Sequence, residues 1–85
     1  MIQRGDVYLR QGNLAAARQF FRRAADIGLA AAAMRMAATY DPTELAGLSL
    51  VGIQADPKEA TQWYERAREM GASEAGARLA RLQGR

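Results

Sequence analysis

Acid–base or nucleophilic chemistry would have to be assembled in this chain without its commonest parts. Among 85 residues there is no histidine and no cysteine. That removes the usual general base at neutral pH, the commonest transition-metal ligand, the thiol nucleophile, the disulfide and the zinc-finger ligand set. Ser49 and Ser73 are the only serines, and no histidine is present to activate either. Nine carboxylates remain: Asp6, Asp26, Asp41, Glu44, Asp56, Glu59, Glu65, Glu69 and Glu74. A catalytic pair could be drawn from them, but their positions fit helix caps and solvated helix faces better. The glycines stand singly, at helix ends or in a connection, so no phosphate-cradling loop occurs. The reading is a non-enzymatic chain with no cofactor and no metal.

Two further sets of side chains could bind rather than react. Arg18, Arg22 and Arg23 share one predicted helix, and Arg66, Arg68, Arg78 and Arg81 lie on later ones, a basic strip that could meet phosphates. They alternate with Asp26, Glu65 and Glu69, and the net charge is only +3, from 12 basic and nine acidic residues. A solvated outer face is therefore favoured, and a basic, nucleic-acid-binding helical domain is the least favoured function. Trp63 and Tyr64 offer rings that could stack on a sugar or a base, but their helical register assigns them to the packing core. Only Lys58 among the basic residues is not arginine. With the abundant alanine and glycine, that reflects a GC-rich genome more than a chemical demand.

The elements that must position these residues are all helical. A first helix over 2–11 ends where Gly12 can adopt the left-handed conformation. Asn13 caps a second, whose apolar residues Leu14, Ala17, Phe20, Phe21, Ala24 and Ile27 recur at helical spacing until Gly28. A third, over 29–40, carries Ala33, Met36, Ala37 and Tyr40 on one face and ends at Asp41-Pro42. Asp56-Pro57-Lys58-Glu59 has a capping carboxylate, proline at the first helical position and glutamate at the third, a strong start signal. The helix it opens turns Ala60, Trp63, Tyr64, Ala67 and Met70 inward and stops at Gly71. A last helix over 73–82 presents Ala75, Leu79, Ala80 and Leu82. The sum is one all-α domain over 1–85, with about five helices in two and a half antiparallel hairpins.

The stretch between Tyr40 and Gly52 is irregular. Asp41-Pro42-Thr43-Glu44 predicts a short turn of helix over 42–46. Leu48, Leu50, Val51 and Ile53 then form an apolar strip where a connection should be polar. The strip either folds back over the hairpin edge or serves as a docking surface for a partner or a second copy.

Sliding the chain against itself by 43 positions, the distance from Ala17 to Ala60, exposes a duplication. Eight of the 25 pairs that begin at Asn13 and Asp56 are identical: Ala17/Ala60, Gln19/Gln62, Arg23/Arg66, Ala24/Ala67, Gly28/Gly71, Ala32/Ala75, Arg35/Arg78 and Ala37/Ala80. Phe20 opposite Trp63, Phe21 opposite Tyr64, Ile27 opposite Met70 and Met36 opposite Leu79 add matches of shape. A chain that repeats one helical hairpin is built to stack hairpins.

The better-preserved copy resembles the Sel-one-like repeat, G-V-x-x-D-x-x-x-A-x-x-W-Y-x-K/R-A-x-x-x-G-x-x-x-A-x-x-x-L. Gly52-Ile53, Asp56, Ala60, Trp63-Tyr64, Arg66-Ala67, Gly71, Ala75 and Leu79 match it. The family is a branch of the tetratricopeptide-like helical repeats. The first copy is similar but carries phenylalanines at the Trp-Tyr positions, with Gly5 and Tyr8 where the preceding helix has its small residue and tyrosine. Tyr40 and Gly52 are 12 apart, against about five in the family, so about seven residues are inserted within 41–51.

The resemblance implies a short right-handed α-solenoid acting as a scaffold or adaptor, whose concave face accepts a protein or peptide. Register then predicts a partner-binding groove that includes Asp6, Leu9, Met34, Ala38 and Arg81. The alternative function is self-association, as a homo-oligomer, through the apolar insertion 45–53, with Leu48, Leu50, Val51 and Ile53 as its contacts. Such repeats are common in bacterial envelope and signalling proteins and come in longer arrays, so this chain is expected to be a fragment or C-terminal part of a longer protein. No apolar run approaches the roughly 20 residues of a membrane span, and Met1 is not followed by a secretory signal pattern. The parent protein is compatible with a cytoplasmic or an envelope location.

Overall fold

Side-chain periodicity and capping residues produce helices throughout. The computed structural model describes residues 2–48 and 53–84. Among these, six helices occur: α1 (Ile2–Arg10), α2 (Leu14–Asp26), α3 (Ala30–Ala38), α4 (Pro42–Leu48), α5 (Pro57–Glu69) and α6 (Ala75–Gln83). The sixth is α4, which extends the expected turn at 42–46 into a helix of seven residues. Asp41 Oδ1 accepts a hydrogen bond from the Thr43 N–H at 2.9 Å, and Pro42 stands at the first helical position, so the local signal suffices to start it. The last helix begins at Ala75, because Ser73 and Glu74 belong to the turn that precedes it.

The starts and stops of α2 and α5 follow the same chemistry. Asn13 Oδ1 accepts from the Ala16 N–H at 3.2 Å, and Asp56 Oδ1 accepts from the Glu59 N–H at 3.2 Å. At the other ends Gly28 and Gly71 adopt φ of 100° and 105°. Those left-handed glycines let the Leu29 N–H reach the Ala24 carbonyl at 3.1 Å and the Ala72 N–H reach the Ala67 carbonyl at 2.9 Å. Both closures satisfy carbonyls that a helix end leaves open. The bounds of α2 and α5 differ by the same 43 positions as the sequence pairs.

Helix α1 packs on α2, α2 on α3, α3 on α5 and α5 on α6. The described chain measures 30 × 29 × 16 Å between Cα extremes, about two helix layers thick at an interaxial spacing of 8–10 Å. Ala17, Phe21 and Met36 form one buried cluster. Ala24, Ala33, Ala37, Ala60, Tyr64, Ala67, Ala75 and Leu79 belong to a second. Alanine at these sites allows close helix approach, and Tyr64 and Phe21 are the largest fully buried side chains. Gly5 is buried where α1 crosses α2, and a Cβ there would overlap the Phe21 ring. No helix among the described residues is long and apolar enough to cross a membrane.

Two expected core residues, Ile27 and Ala80, lie at the surface, and a third, Trp63, sits at the edge of the core. Trp63 is only half-buried, packed against both clusters, because the deepest position on α5 is taken by its neighbour Tyr64. Ile27 is 67% exposed, since it caps α2 after the last inward turn. Ala80 is exposed, although its counterpart Ala37 is fully buried. The difference is that α5 packs on α3 while no described helix occupies the corresponding face of α6.

Candidate functional site

A cleft of about 560 Å³ is bordered by α1, α3, α4, the turn between α5 and α6, and α6 itself. Its apolar lining comes from Leu9 of α1, Ala30, Ala31, Met34 and Ala38 of α3, Leu48 of α4, and Ala72 of the turn before α6. The spacing of the α3 residues, at 30, 31, 34 and 38, is one stripe of a helix. Four of the five residues predicted for a partner groove, Asp6, Leu9, Met34 and Ala38, line this cleft together. Arg81 does not.

Apart from Glu74, the charged residues that line the cleft are joined in ion pairs. Arg35 Nε donates to Asp6 Oδ1 at 2.9 Å, linking α3 to α1. Arg78 Nη1 lies 3.4 Å from Glu44 Oε1, linking α6 to α4. Arg35 and Arg78 are an identical pair in the 43-residue alignment, and each meets a carboxylate from a neighbouring element within the same cleft. Both pairs keep substantial solvent exposure, so they orient side chains more than they stabilise the fold. Sequence reasoning did not assign Arg35 or Arg78 to the cleft, although their identity across the alignment was a usable signal. Glu44 and Leu48 carried no such signal, since α4 has no counterpart elsewhere in the chain.

Behind the cleft sits a polar cluster built on Asp41, which is fully buried. Its Oδ2 accepts hydrogen bonds from the Tyr64 hydroxyl at 2.7 Å and from Arg81 Nη2 at 2.7 Å. Arg81 Nη2 also reaches Glu44 Oε2 at 3.3 Å, and Arg78 Nη1 donates to the Tyr64 oxygen at 3.4 Å. Burial alone would raise the Asp41 pKa. Hydrogen bonds from Tyr64, Arg81 and the Thr43 amide, with the charge of Arg81, outweigh burial and hold the carboxyl below its usual range. Burial pushes the Tyr64 phenol far above its ordinary value, against the opposing Arg78 contact and with a further rise from Asp41. Tyr64 therefore stays a neutral donor at physiological pH. The predicted groove position of Arg81 is thus corrected: its guanidinium is drawn back onto Asp41 and Glu44, and the cleft position on α6 belongs to Arg78, one turn earlier.

The apolar insertion divides. Leu45, at its start, is buried against the rest of the domain. Leu48 is 40% exposed at the rim of the cleft, and Ile53 is half-buried. Leu50 and Val51 lie outside the described residues. Beyond the insertion, the Asp56 N–H donates to the Tyr40 carbonyl at 2.8 Å, so the excursion leaves and returns at one place.

The arginines are also distributed differently from a free basic strip. Arg18 donates to the Thr39 hydroxyl at 3.0 Å and the Thr39 carbonyl at 2.6 Å, and its guanidinium lies 3.9 Å from the Tyr40 ring centre. Arg66 pairs with Asp26 at 2.9 Å and stacks over Trp63. Arg22 and Arg23 are exposed and line a shallow depression of about 450 Å³ along α2, together with Arg18 and Asp26. Four of the seven arginines in the suggested strip are therefore engaged within the fold, some as ties between elements rather than as an outer face. Among the described residues no group of histidine, cysteine and carboxylate side chains is arranged to hold a metal ion. Comparison with known protein families, curated proteins and solved structures finds no match.

Proposed function

We propose that this chain is a non-enzymatic scaffold of the Sel-one-like type, a short right-handed α-solenoid of two and a half hairpins, whose cleft between α1, α3, α4 and α6 receives a segment of a protein or peptide. The observation that carries this reading is the cleft itself, with Asp6, Leu9, Met34 and Ala38 gathered in one concavity. Its floor is apolar enough to bury a side chain, and Arg35, Arg78, Asp6 and Glu44 supply polar groups at the margins. That composition, an apolar surface with a few convergent polar groups, suits recognition of a peptide segment. The matched bounds, caps and closures of α2 and α5 support the stacking of like units.

Selection from a displayed random-peptide library, followed by titration of the selected peptides, tests the reading. Met34→Glu and Leu9→Ala should each weaken binding by about tenfold or more, the equivalent of 1.4 kcal/mol, measured at a temperature where each variant is folded, because both side chains also pack against the core clusters. Selected peptides that bind wild type and both variants equally would place recognition elsewhere and end the cleft proposal. Self-association through 45–53 is the second reading, favoured by Leu48 at the cleft rim and opposed by the burial of Leu45. Light scattering that finds only monomer for wild type across concentration would dispose of it.

A further inference from the structure

Three carboxylates and two arginines line the cleft, an acidic balance on a chain whose net charge is +3. The arginines are committed. Arg35 holds Asp6 at 2.9 Å, and Arg78 lies between Glu44 and the Tyr64 hydroxyl, each at 3.4 Å. Glu44 receives a second guanidinium from Arg81 at 3.3 Å. Glu74 differs from the other two carboxylates. It is exposed, its side chain makes no helix-capping hydrogen bond, and among the described residues it joins no ion pair. An arginine four positions after a glutamate is an ordinary partner for it along a helix, and Arg78 stands there. The insertion removes that partner, because Glu44 of α4 draws the Arg78 guanidinium to itself. In the 43-residue alignment Glu74 falls opposite Ala31, which lines the same cleft, so the free carboxylate belongs to one wall only.

We infer that the cleft selects segments in which a lysine or arginine lies close to an apolar side chain, with the apolar group held by Leu9, Met34 and Leu48 and the cation at Glu74. The inference rests on the cleft being the binding site. Those three residues are the largest apolar side chains that line it, and methionine adapts to groups of different shape. A carboxylate on the incoming segment would have to displace Asp6 from Arg35 or Glu44 from Arg78, whereas a cation meets a carboxylate that gives up no ion pair. The same arrangement therefore attracts one class of segment and rejects the other. The α3 wall from Ala30 to Ala38 is about 12 Å long at about 1.5 Å per residue, room for about three or four residues of extended chain. The cation and the apolar group accordingly lie within about three positions of each other.

A displayed library of short peptides with a central leucine and random flanks, selected on the whole chain, supplies the probes. Lysine and arginine should be enriched near the leucine, and aspartate and glutamate depleted. In titrations of the tightest selected peptide, changing its cation to glutamine should weaken binding to wild type by about three- to fivefold, the scale of an exposed ion pair. The same change should leave binding to Glu74→Gln unaltered, and the wild-type difference should narrow as salt is raised. Selection on Glu74→Arg should turn the flanks acidic. Both variants should melt with wild type, because the Glu74 side chain is exposed. Peptides that lose affinity for folded Leu9→Ala yet show no basic excess overturn this inference and leave the cleft in place. So does a cation that matters equally to wild type and Glu74→Gln. A library that yields no peptide sensitive to Leu9→Ala ends the cleft proposal, and this inference falls with it.

Discussion

Replacing Asp41 with alanine should unfold this domain more readily than any change at its ion-paired surface. The carboxylate has three hydrogen-bond donors directed at it: the Thr43 amide, the Tyr64 hydroxyl and Arg81. Loss of the α4 cap costs about 1 kcal/mol. The buried Tyr64 hydroxyl is then left beside Arg78, another donor, at a cost of about 1–3 kcal/mol. Arg81 is about one-third exposed and can turn toward water, so it adds little. The total is about 2–4 kcal/mol, against about 4–13 kcal/mol for a domain of this length at 0.05–0.15 kcal/mol per residue. Urea unfolding followed by Trp63 fluorescence should show a midpoint lower by about 1–3 M for a slope near 1.5 kcal/mol/M.

The charge of Asp41 can be separated from its shape with Asp41→Asn. The folded-state pKa lies below the ordinary value of 3.8. A depressed carboxyl contributes stability that is fully present above its unfolded pKa and is lost as pH falls through the folded one. The advantage of wild type over Asp41→Asn should therefore be constant between about pH 7 and 5 and shrink below about pH 4. A loss under about 1 kcal/mol for Asp41→Ala, or a gap between wild type and Asp41→Asn that is the same at pH 7 and pH 3, would refute the role given to this carboxylate.

Gly5→Ala should destabilise by about 1–3 kcal/mol through overlap with Phe21, although alanine in an exposed helix gains about 1 kcal/mol over glycine. A combined Phe21→Leu change should recover part of the loss in thermal melts. Tyr64→Ala should cost about 3–5 kcal/mol and Trp63→Ala less, about 2–3 kcal/mol, because only Tyr64 is fully enclosed. The opposite order in denaturant titrations would reverse the assignment of the deeper ring.

Local signals carried most of the helix boundaries. Asn13, Asp56 and the glycines at 12, 28 and 71 are read from the chain because capping and left-handed closure depend on one or two residues. Four cleft residues were legible because register along α1 and α3 is set by those boundaries. The polar cluster was not. Asp41 reads as a helix cap in one dimension, and only the folded arrangement brings Tyr64 and Arg81, 23 and 40 positions away, onto its second oxygen. The depth of Trp63, which packs at the edge of both clusters, was not legible for a related reason. Both rings of an adjacent pair fit an inward arc, and which one reaches the centre depends on where α3 lies.

The insertion after Tyr40 explains how an irregular segment can contribute to the cleft without disturbing the packing around it. The hydrogen bond from the Asp56 amide to the Tyr40 carbonyl closes the excursion at its base, so α3 still packs on α5 across it. Within the excursion, Asp41 anchors the start of α4 to α5 and α6, and Leu45 is buried. Those constraints aim the next helical positions outward, where Glu44 meets Arg78 and Leu48 reaches the cleft rim. One wall of the cleft thus comes from positions related by the 43-residue register, with Arg35 and Arg78 at equivalent sites, and another from residues unique to the insertion. Selectivity for a bound segment should accordingly respond to changes at Glu44 and Leu48, whereas changes at Met34 should alter affinity for every segment the cleft accepts.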